Sequence, residues 1–364
     1  MATRKWRKSR REQRQFWKNA TEEARYEYLV DSVEALEEIV DFHNCEEKAL
    51  LDLLQKHVER QEKVAFIEIG CGPGRVIRKI LRRVLEDPDT WGKSIKYVVG
   101  VDFEIKMINR AIESLIKKER AIRKLVMRGT AYEVAETMNT PVREVKKSLR
   151  EKVFFIDADA RFPFLRCESI VPVVAMMFGT LGNIPETNSI LQRVTEICWP
   201  KGEALLVVFD RKNCAMGKER YSKLAQLDFS PLNGTEWKEE EGVGFFKSPS
   251  GFYSRWFYET ELRSLLQRHF EKGFEITSVS KTGLSAVVRP KLMIRRKIVS
   301  YLASRQTPDK VPYLRLTCPV DGHDLEKGGL PLKQDSSIKC SESKHFYNIH
   351  DIMGFRVPLL EVNG

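Results

Sequence analysis

The strongest constraint in this chain is the run Phe66-Ile67-Glu68-Ile69-Gly70-Cys71-Gly72-Pro73-Gly74-Arg75, where a short apolar segment enters three alternating glycines. Val64 to Ile69 reads as a buried strand, and Val76 to Leu85 follows with apolar residues at helical spacing. Glycines at such a junction leave the main chain bare, so that a ligand lies directly on it. Strand, glycine turn and helix in that order open a doubly wound α/β sheet. A dinucleotide-binding loop would want Gly-x-Gly-x-x-Gly and an anionic pyrophosphate at the helix start. Here the third glycine comes one place early, and Glu68 stands just before the turn, where it would repel that anion.

The same alternation continues downstream. Tyr97 to Val101 predicts a second strand ending at Asp102, and Met107 to Leu115 the next helix. A charged stretch over residues 116–152 interrupts the sheet before the strand Val153 to Ile156. Within it, Ala131 to Leu149 has the pattern of a helix-turn-helix, read as two packed structural helices in preference to a DNA-recognition element. Strands are expected at Val171 to Phe178, at Ala204 to Phe209 and as a pair within Phe274 to Val288, with helices at Ser189 to Cys198 and Thr260 to Phe270. Upstream, Leu29, Val33, Leu36 and Val40, then Leu50, Leu54 and Val58, predict two helices separated at His43 and Asn44. Alternating strands and helices imply a mostly parallel sheet covered on both faces. The expected division is a basic tail and N-terminal helices over 1–62, a cofactor domain over 63–290, a basic linker over 291–311 and a small module over 312–364.

Three elements together resemble the cofactor site of class I S-adenosylmethionine-dependent methyltransferases, whose seven-stranded sheet the chain is then expected to share. The first is the glycine run, where the resemblance lays the methionine part of the cofactor over Gly70, Cys71, Gly72, Gly74 and Arg75 and turns Glu68 toward its cationic end. The second is Val98-Val99-Gly100-Val101-Asp102-Phe103, followed by Met107. A carboxylate at the tip of the second strand offers two acceptor oxygens to a ribose, and it equally suits a helix N-cap. The third is Phe155-Ile156-Asp157-Ala158-Asp159-Ala160-Arg161-Phe162-Pro163-Phe164, similar to the family's Asp-Ala before an apolar-Pro-Phe step. It implies an acid facing the adenine amino group. Asp159, beside Ala160, aligns best, with Asp157 as the alternative.

The fourth strand runs into Phe178-Gly179-Thr180-Leu181-Gly182-Asn183-Ile184-Pro185, where the family places residues between cofactor and acceptor. The Asn-Pro-Pro-Tyr of enzymes that methylate amide or base amino groups is absent. Gly179 to Asn183 looks more like the loop of enzymes acting on free amines and amino acids, in which an Asn orients the substrate; Asn183 takes that role here, or merely caps a glycine turn. Phe178 and Gly179 are assigned to the cofactor. Tyr253, Arg255 and Trp256 precede a helix where the family often builds a substrate lid, and they are expected to stack on a base or fence a cation, or else to serve as core residues.

The segment Leu316-Thr317-Cys318-Pro319 to Pro358-Leu359-Leu360 resembles the small zinc-ribbon-like protein that partners tRNA and translation-factor methyltransferases. The second cysteine of each knuckle is replaced, by Asp321 and Ser343. Cys318, His323, Cys340 and His345 repeat a Cys-x4-His spacing and form a candidate Cys2His2 zinc set, with a metal-free fold as the alternative.

Charge is distributed unevenly. Residues 1–20 hold eight Lys or Arg against Glu12, whereas 21–62 hold thirteen acids against four bases, and the whole chain is +11. The basic tail reads either as an arm for nucleic-acid phosphates or as a solvated end, and residues 289–310 are basic again. With the C-terminal resemblance, these ends point to RNA or the translation machinery as the methyl acceptor, with a small-molecule amine or amino acid as the alternative. Seven scattered cysteines suit a reduced cytoplasmic setting. The most apolar run, Ile170 to Phe178, is far too short for a membrane span.

Overall fold

The computed structural model describes residues 12, 15–17, 19, 37–116, 129–162, 164–226, 230–270, 274–290, 313–318, 322, 323, 325, 337–340, 346–352 and 355–362. Its centre is strand β1 (Val64–Ile69), every residue of which is buried. A strand buried along its whole length belongs in the middle of a parallel sheet that is covered on both faces. β1 pairs in parallel with β2 (Ile95–Asp102) on one side and β5 (Val171–Met176) on the other. β3 (Val153–Asp157) extends the sheet beyond β2, and β6 (Glu203–Phe209) beyond β5, both in parallel. β11 (Gly283–Val288) is antiparallel to β6 and to the edge strand β10 (Glu275–Ser280). The seven strands therefore run β10-β11-β6-β5-β1-β2-β3.

Alternation along the strands serves two apolar layers. Val64 and Phe66 of β1, with Leu205, Val207 and Phe209 of β6, face α1 (Glu37–Glu59), α2 (Arg75–Glu86) and α3 (Ile105–Ile116) through Phe42, Leu54, Ile80 and Ile112. Ala65, Ile67 and Ile69, with Leu206 and Val208, face Ile190 and Val194 of α6 (Thr187–Cys198) and Leu262 and Leu266 of α8 (Glu259–His269).

One expectation is corrected at the N-terminal side: α1 runs unbroken through His43 and Asn44. Neither residue breaks a helix, since Asn and His cost well under about 1 kcal/mol in a helix interior. Burial of Phe42, His43 and Glu46 along the same stretch holds the helix there. The charged insertion provides α4 (Thr130–Thr137) and α5 (Val142–Lys152), which bury Ala131, Val134, Val145 and Leu149 in the first apolar layer. After β6, α7 (Cys214–Gln226) leads to a meander of β7 (Glu236–Glu240), β8 (Val243–Lys247) and β9 (Tyr253–Trp256).

The C-terminal residues join the main body. β12 (Tyr313–Leu316) pairs antiparallel with β4 (Leu165–Glu168). β13 (Ser337–Lys339), β14 (Phe346–Ile352) and β15 (Phe355–Val362) form a small antiparallel sheet, with β15 lying against β3. Leu314, Leu316, Cys318, Ile338, Cys340 and Tyr347 share one buried cluster with Phe154, Ile156 and Phe164. Cys318 Sγ lies 2.7 Å from the Tyr347 hydroxyl. Zinc has no support here: among the described residues no group of three or more His, Cys, Asp or Glu is placed to hold a metal, and His345 lies outside them. The described helices include none long and apolar enough to cross a membrane.

Candidate active site

β1 sits where the order of the sheet reverses, and in such a sheet the ligand crevice opens beyond the carboxyl ends of the strands. A cavity lies at that position. It gathers Glu68, Gly70, Cys71, Gly72 and Arg75 from the first turn, Asp102, Phe103 and Met107 from the second, Asp159 and Ala160 from the third, and Phe178 and Asn183 from the loop after β5. Residues more than a hundred positions apart thus meet because successive parallel strands end on one edge.

Gly70 and Gly72 have φ of +72° and +50°. A Cβ on Gly70 would sit 2.5 Å from Thr180 Cγ2, so this turn presses directly on the loop after β5. A Cβ on Gly72 would meet nothing within 4 Å, so its main chain is a bare floor to the cavity. Gly74 and Gly179 do not line the cavity, and their glycines serve packing instead. A Cβ on Gly74 would come 2.9 Å from that of Ala111 in α3, and one on Gly179 would come 2.5 Å from the Phe209 ring.

Asp102 is fixed by two main-chain donors: Gly72 N–H to Oδ2 at 2.9 Å and Glu104 N–H to Oδ1 at 3.0 Å. It therefore caps the following turn and steadies the glycine loop while keeping further lone pairs on each oxygen. Burial pushes its pKa up to about 6, the main-chain hydrogen bonds from Gly72, Glu104 and Phe103 notwithstanding. Glu68 is 3% exposed, and its Oε2 has no hydrogen-bond partner among the described residues. Burial raises its pKa well above the usual carboxylate range; Arg75 opposes this, while Glu46, Asp102 and Glu47 reinforce it.

Glu46, which the sequence did not single out, is fully buried on α1 and accepts the Phe178 N–H at 2.7 Å. It also pairs with Arg75, which pairs with Glu47 as well. Burial pushes the pKa of Glu46 up to about 7. Glu46 and Glu47 thus hold the Arg75 guanidinium, while Glu68 and Asp102 bring two further buried carboxyls to the cavity itself. His43 stays neutral, its pKa pushed down to about 2 by burial and by Arg75 and Arg220, and it packs edge-on against Phe178 at 4.6 Å.

Of the two acids at the third strand, Asp159 lines the cavity and Asp157 does not. The Asp159 carboxylate is held by Arg161, with Nε at 2.9 Å and an Nη at 2.7 Å, and Arg161 reaches on to Glu186 at 2.8 Å. Trp17 joins the wall from the N-terminal segment, beside Thr180, Asn183 and Ile184. Its neighbour Phe16 is 1% exposed and packs on Phe252 at 5.1 Å. A Phe-Trp pair within an otherwise basic tail was the one sequence signal for this contact.

Tyr253, Arg255 and Trp256 are not brought to the cavity. They lie on a strand rather than at a helix start, so alternate residues face opposite ways. Ser254 and Trp256 turn into the core, where the Trp256 ring stacks on Phe209 at 4.9 Å. Arg255 turns outward into a separate cleft.

No known family pattern and no curated protein matches the chain. Solved structures do. They include the PH0226 protein of Pyrococcus horikoshii OT3, at 17% identity over 72% of this chain and 93% of that one, TM-score 0.39. A SAM-dependent methyltransferase of Methanosarcina mazei matches at 18% over 65% and 94%, TM-score 0.37. The N-methyltransferase NodS of Bradyrhizobium japonicum, in complex with S-adenosyl-l-homocysteine, matches at 12% over 77% and 98%, TM-score 0.40. The seven-stranded order, with β11 its antiparallel member, is that of the class I methyltransferase fold. What characterises the site within that fold is its own chemistry: a glycine floor, an excess of buried carboxyls, and one buried carboxylate oxygen left for a donor.

Proposed function

We propose that the cavity binds S-adenosylmethionine and that the chain transfers its methyl group to an acceptor nitrogen beside Asn183. The observation that carries this reading is the pairing of the bare Gly72 floor with the buried, unsatisfied Glu68 Oε2. A cofactor bearing an ammonium and a sulfonium supplies the hydrogen-bond donor that Glu68 Oε2 lacks and a positive charge beside Glu68 and Asp102. Glu68 would hold the methionine end, Asp102 the ribose hydroxyls, and the main chain and carboxyl around Asp159 and Ala160 the adenine. When bound, the cofactor supplies an already activated methyl group. What remains for the protein is positioning, which is enough for a neutral amine nucleophile. Thr180 and Asn183, which line the cavity together with Trp17 and Phe178, would orient that nucleophile.

A small-molecule amine is the acceptor we favour, since Trp17 and Asn183 line one cavity with the cofactor residues. RNA or a translation component is the second reading, favoured by the basic residues within 1–20 and 289–310. A reduced, cytoplasmic setting goes with either. The test is calorimetry with S-adenosylhomocysteine, followed by tritiated methyl transfer into separated metabolite, RNA and protein pools. Labelled metabolites support the first acceptor class and labelled RNA or protein the second; absence of any S-adenosylhomocysteine binding overturns the methyltransferase reading.

A further inference from the structure

A second cleft lies on the far side of the loop that ends the cofactor cavity. Asn183 and Ile184 face the cavity, whereas Pro185 and Glu186 already line the cleft. The loop and β9 are tied together, with Arg255 N–H donating to Gly182 O at 2.9 Å. Arg161 spans both compartments, reaching Asp159 on one side and Glu186 on the other.

The cleft is built for negative charge. α6 and α8 both begin at its wall, with Thr187 and Thr260 among the lining residues. The first N–H groups of a helix have no partner within it and carry partial positive charge. Arg255 and Arg268 supply two guanidinium groups. Neither makes an ion pair among the described residues; Arg255 instead lies over the Phe257 ring at 4.4 Å, with its Nε buried and unpartnered. Two acids line the cleft as well, and both are engaged: Glu186 by Arg161 at 2.8 Å, Glu261 by Arg211 at 3.0 Å and by the Tyr258 N–H. The cleft therefore offers two cations, two helix starts and the exposed Thr260, while the Ser264 hydroxyl donates to Thr260 O at 2.9 Å and each lining carboxylate shares an arginine with a second acid.

We infer that this cleft is the subsite for a phosphate group of the methyl acceptor, whose nucleophilic nitrogen lies across the loop at Asn183. The inference rests on the methyltransferase reading for its acceptor and on the cleft's own residues for its anion. A phosphate suits donors that converge from several directions, which a planar carboxylate would satisfy less fully. The acceptor class is then a small phosphorylated amine.

The test uses the full chain and two titrants, inorganic phosphate and S-adenosylhomocysteine. Wild-type protein is expected to bind phosphate saturably at millimolar concentration. The double variant Arg255→Gln/Arg268→Gln should weaken this by about tenfold or more, the loss expected for charge-assisted hydrogen bonds. Arg255 also packs on Phe257, so Ser264→Glu, at an exposed position, provides an independent check by placing a charge in the cleft; it too should abolish phosphate binding. In both variants S-adenosylhomocysteine affinity should stay within about twofold of wild type. Unaltered phosphate affinity in the variants, or no saturable binding by wild type, overturns the subsite. Loss of S-adenosylhomocysteine binding with phosphate binding intact would instead remove the methyltransferase reading. A single-stranded oligonucleotide that displaces phosphate at submicromolar concentration, with a steep salt dependence, would overturn the small acceptor in favour of RNA.

Discussion

Replacing Glu68 with glutamine isolates the feature on which the cofactor assignment stands. The side chain keeps its size, so the buried site is neither emptied nor overfilled. Burial raises the pKa of Glu68 well above the usual carboxylate range, so the empty site favours the protonated acid, which an amide resembles. A carboxyl whose folded pKa is raised contributes stability that is fully present below its unfolded value and is lost as pH rises through the folded value. The variant should therefore melt with wild type in acid and gain on it as the pH rises from the ordinary carboxylate value toward the raised one. Cofactor binding behaves oppositely. A bound ammonium calls for the ionised carboxylate, so wild type must release a proton on binding and its affinity should climb with pH, by up to about tenfold per pH unit below the raised pKa. The amide in Glu68→Gln has no proton to release, so that slope disappears. At alkaline pH the variant loses a hydrogen bond between charged groups, about 1.5–3 kcal/mol, or roughly tenfold to 150-fold in Kd. Calorimetry with S-adenosylhomocysteine in buffers of different ionisation enthalpy reads both the affinity and the proton count. Equal affinities, or the same pH slope in both proteins, would refute a cation at Glu68.

Asp102→Ala should weaken S-adenosylhomocysteine by about 1.5–3 kcal/mol in the same calorimeter, because it removes an acceptor pair and also frees the Gly72 N–H that positions the floor. Gly70→Ala meets Thr180 at 2.5 Å in a left-handed backbone conformation, so the unfolding free energy should drop by about 1–3 kcal/mol in a denaturant titration and cofactor binding should weaken with it. Asn183→Ala should lower methyl transfer roughly tenfold to a hundredfold while S-adenosylhomocysteine affinity holds, as expected of a group that orients the acceptor alone. Removing residues 2–11 spares Phe16 and Trp17; on the RNA reading it flattens the salt dependence of RNA binding, and an unchanged slope marks the tail as solvated.

The cofactor side was legible because its signals are local. A bare turn, an acid before it and an acid at the next strand tip each answer to the conformation of a few consecutive residues, and a parallel sheet brings strand ends together without further instruction. Glu46 was not legible: an acid on a predominantly acidic helix looks solvated until tertiary packing buries it under Phe178. Trp256 was legible only as one of two alternatives, lid or core, since an aromatic cluster before a helix says nothing about which face of a strand each ring takes. The break expected at His43 came from reading a polar pair as a boundary, although one such pair costs too little to end a helix that buries its neighbours. The C-terminal strands were set apart after the basic linker, yet Leu314, Leu316, Ile338 and Tyr347 contribute side chains to the second apolar layer.

That last arrangement bears on how the chain is made. Ribosomes deliver β3 roughly two hundred residues before β15, the strand that comes to lie against it. In the interval Phe154 and Ile156 of the edge strand β3 lie on a face still short of Leu314, Ile338 and Tyr347. An apolar face left open in that way invites association with neighbouring chains. Loss of the final fifty or so residues would therefore show first as poor yield and aggregation during expression, before any defect in cofactor chemistry could be measured.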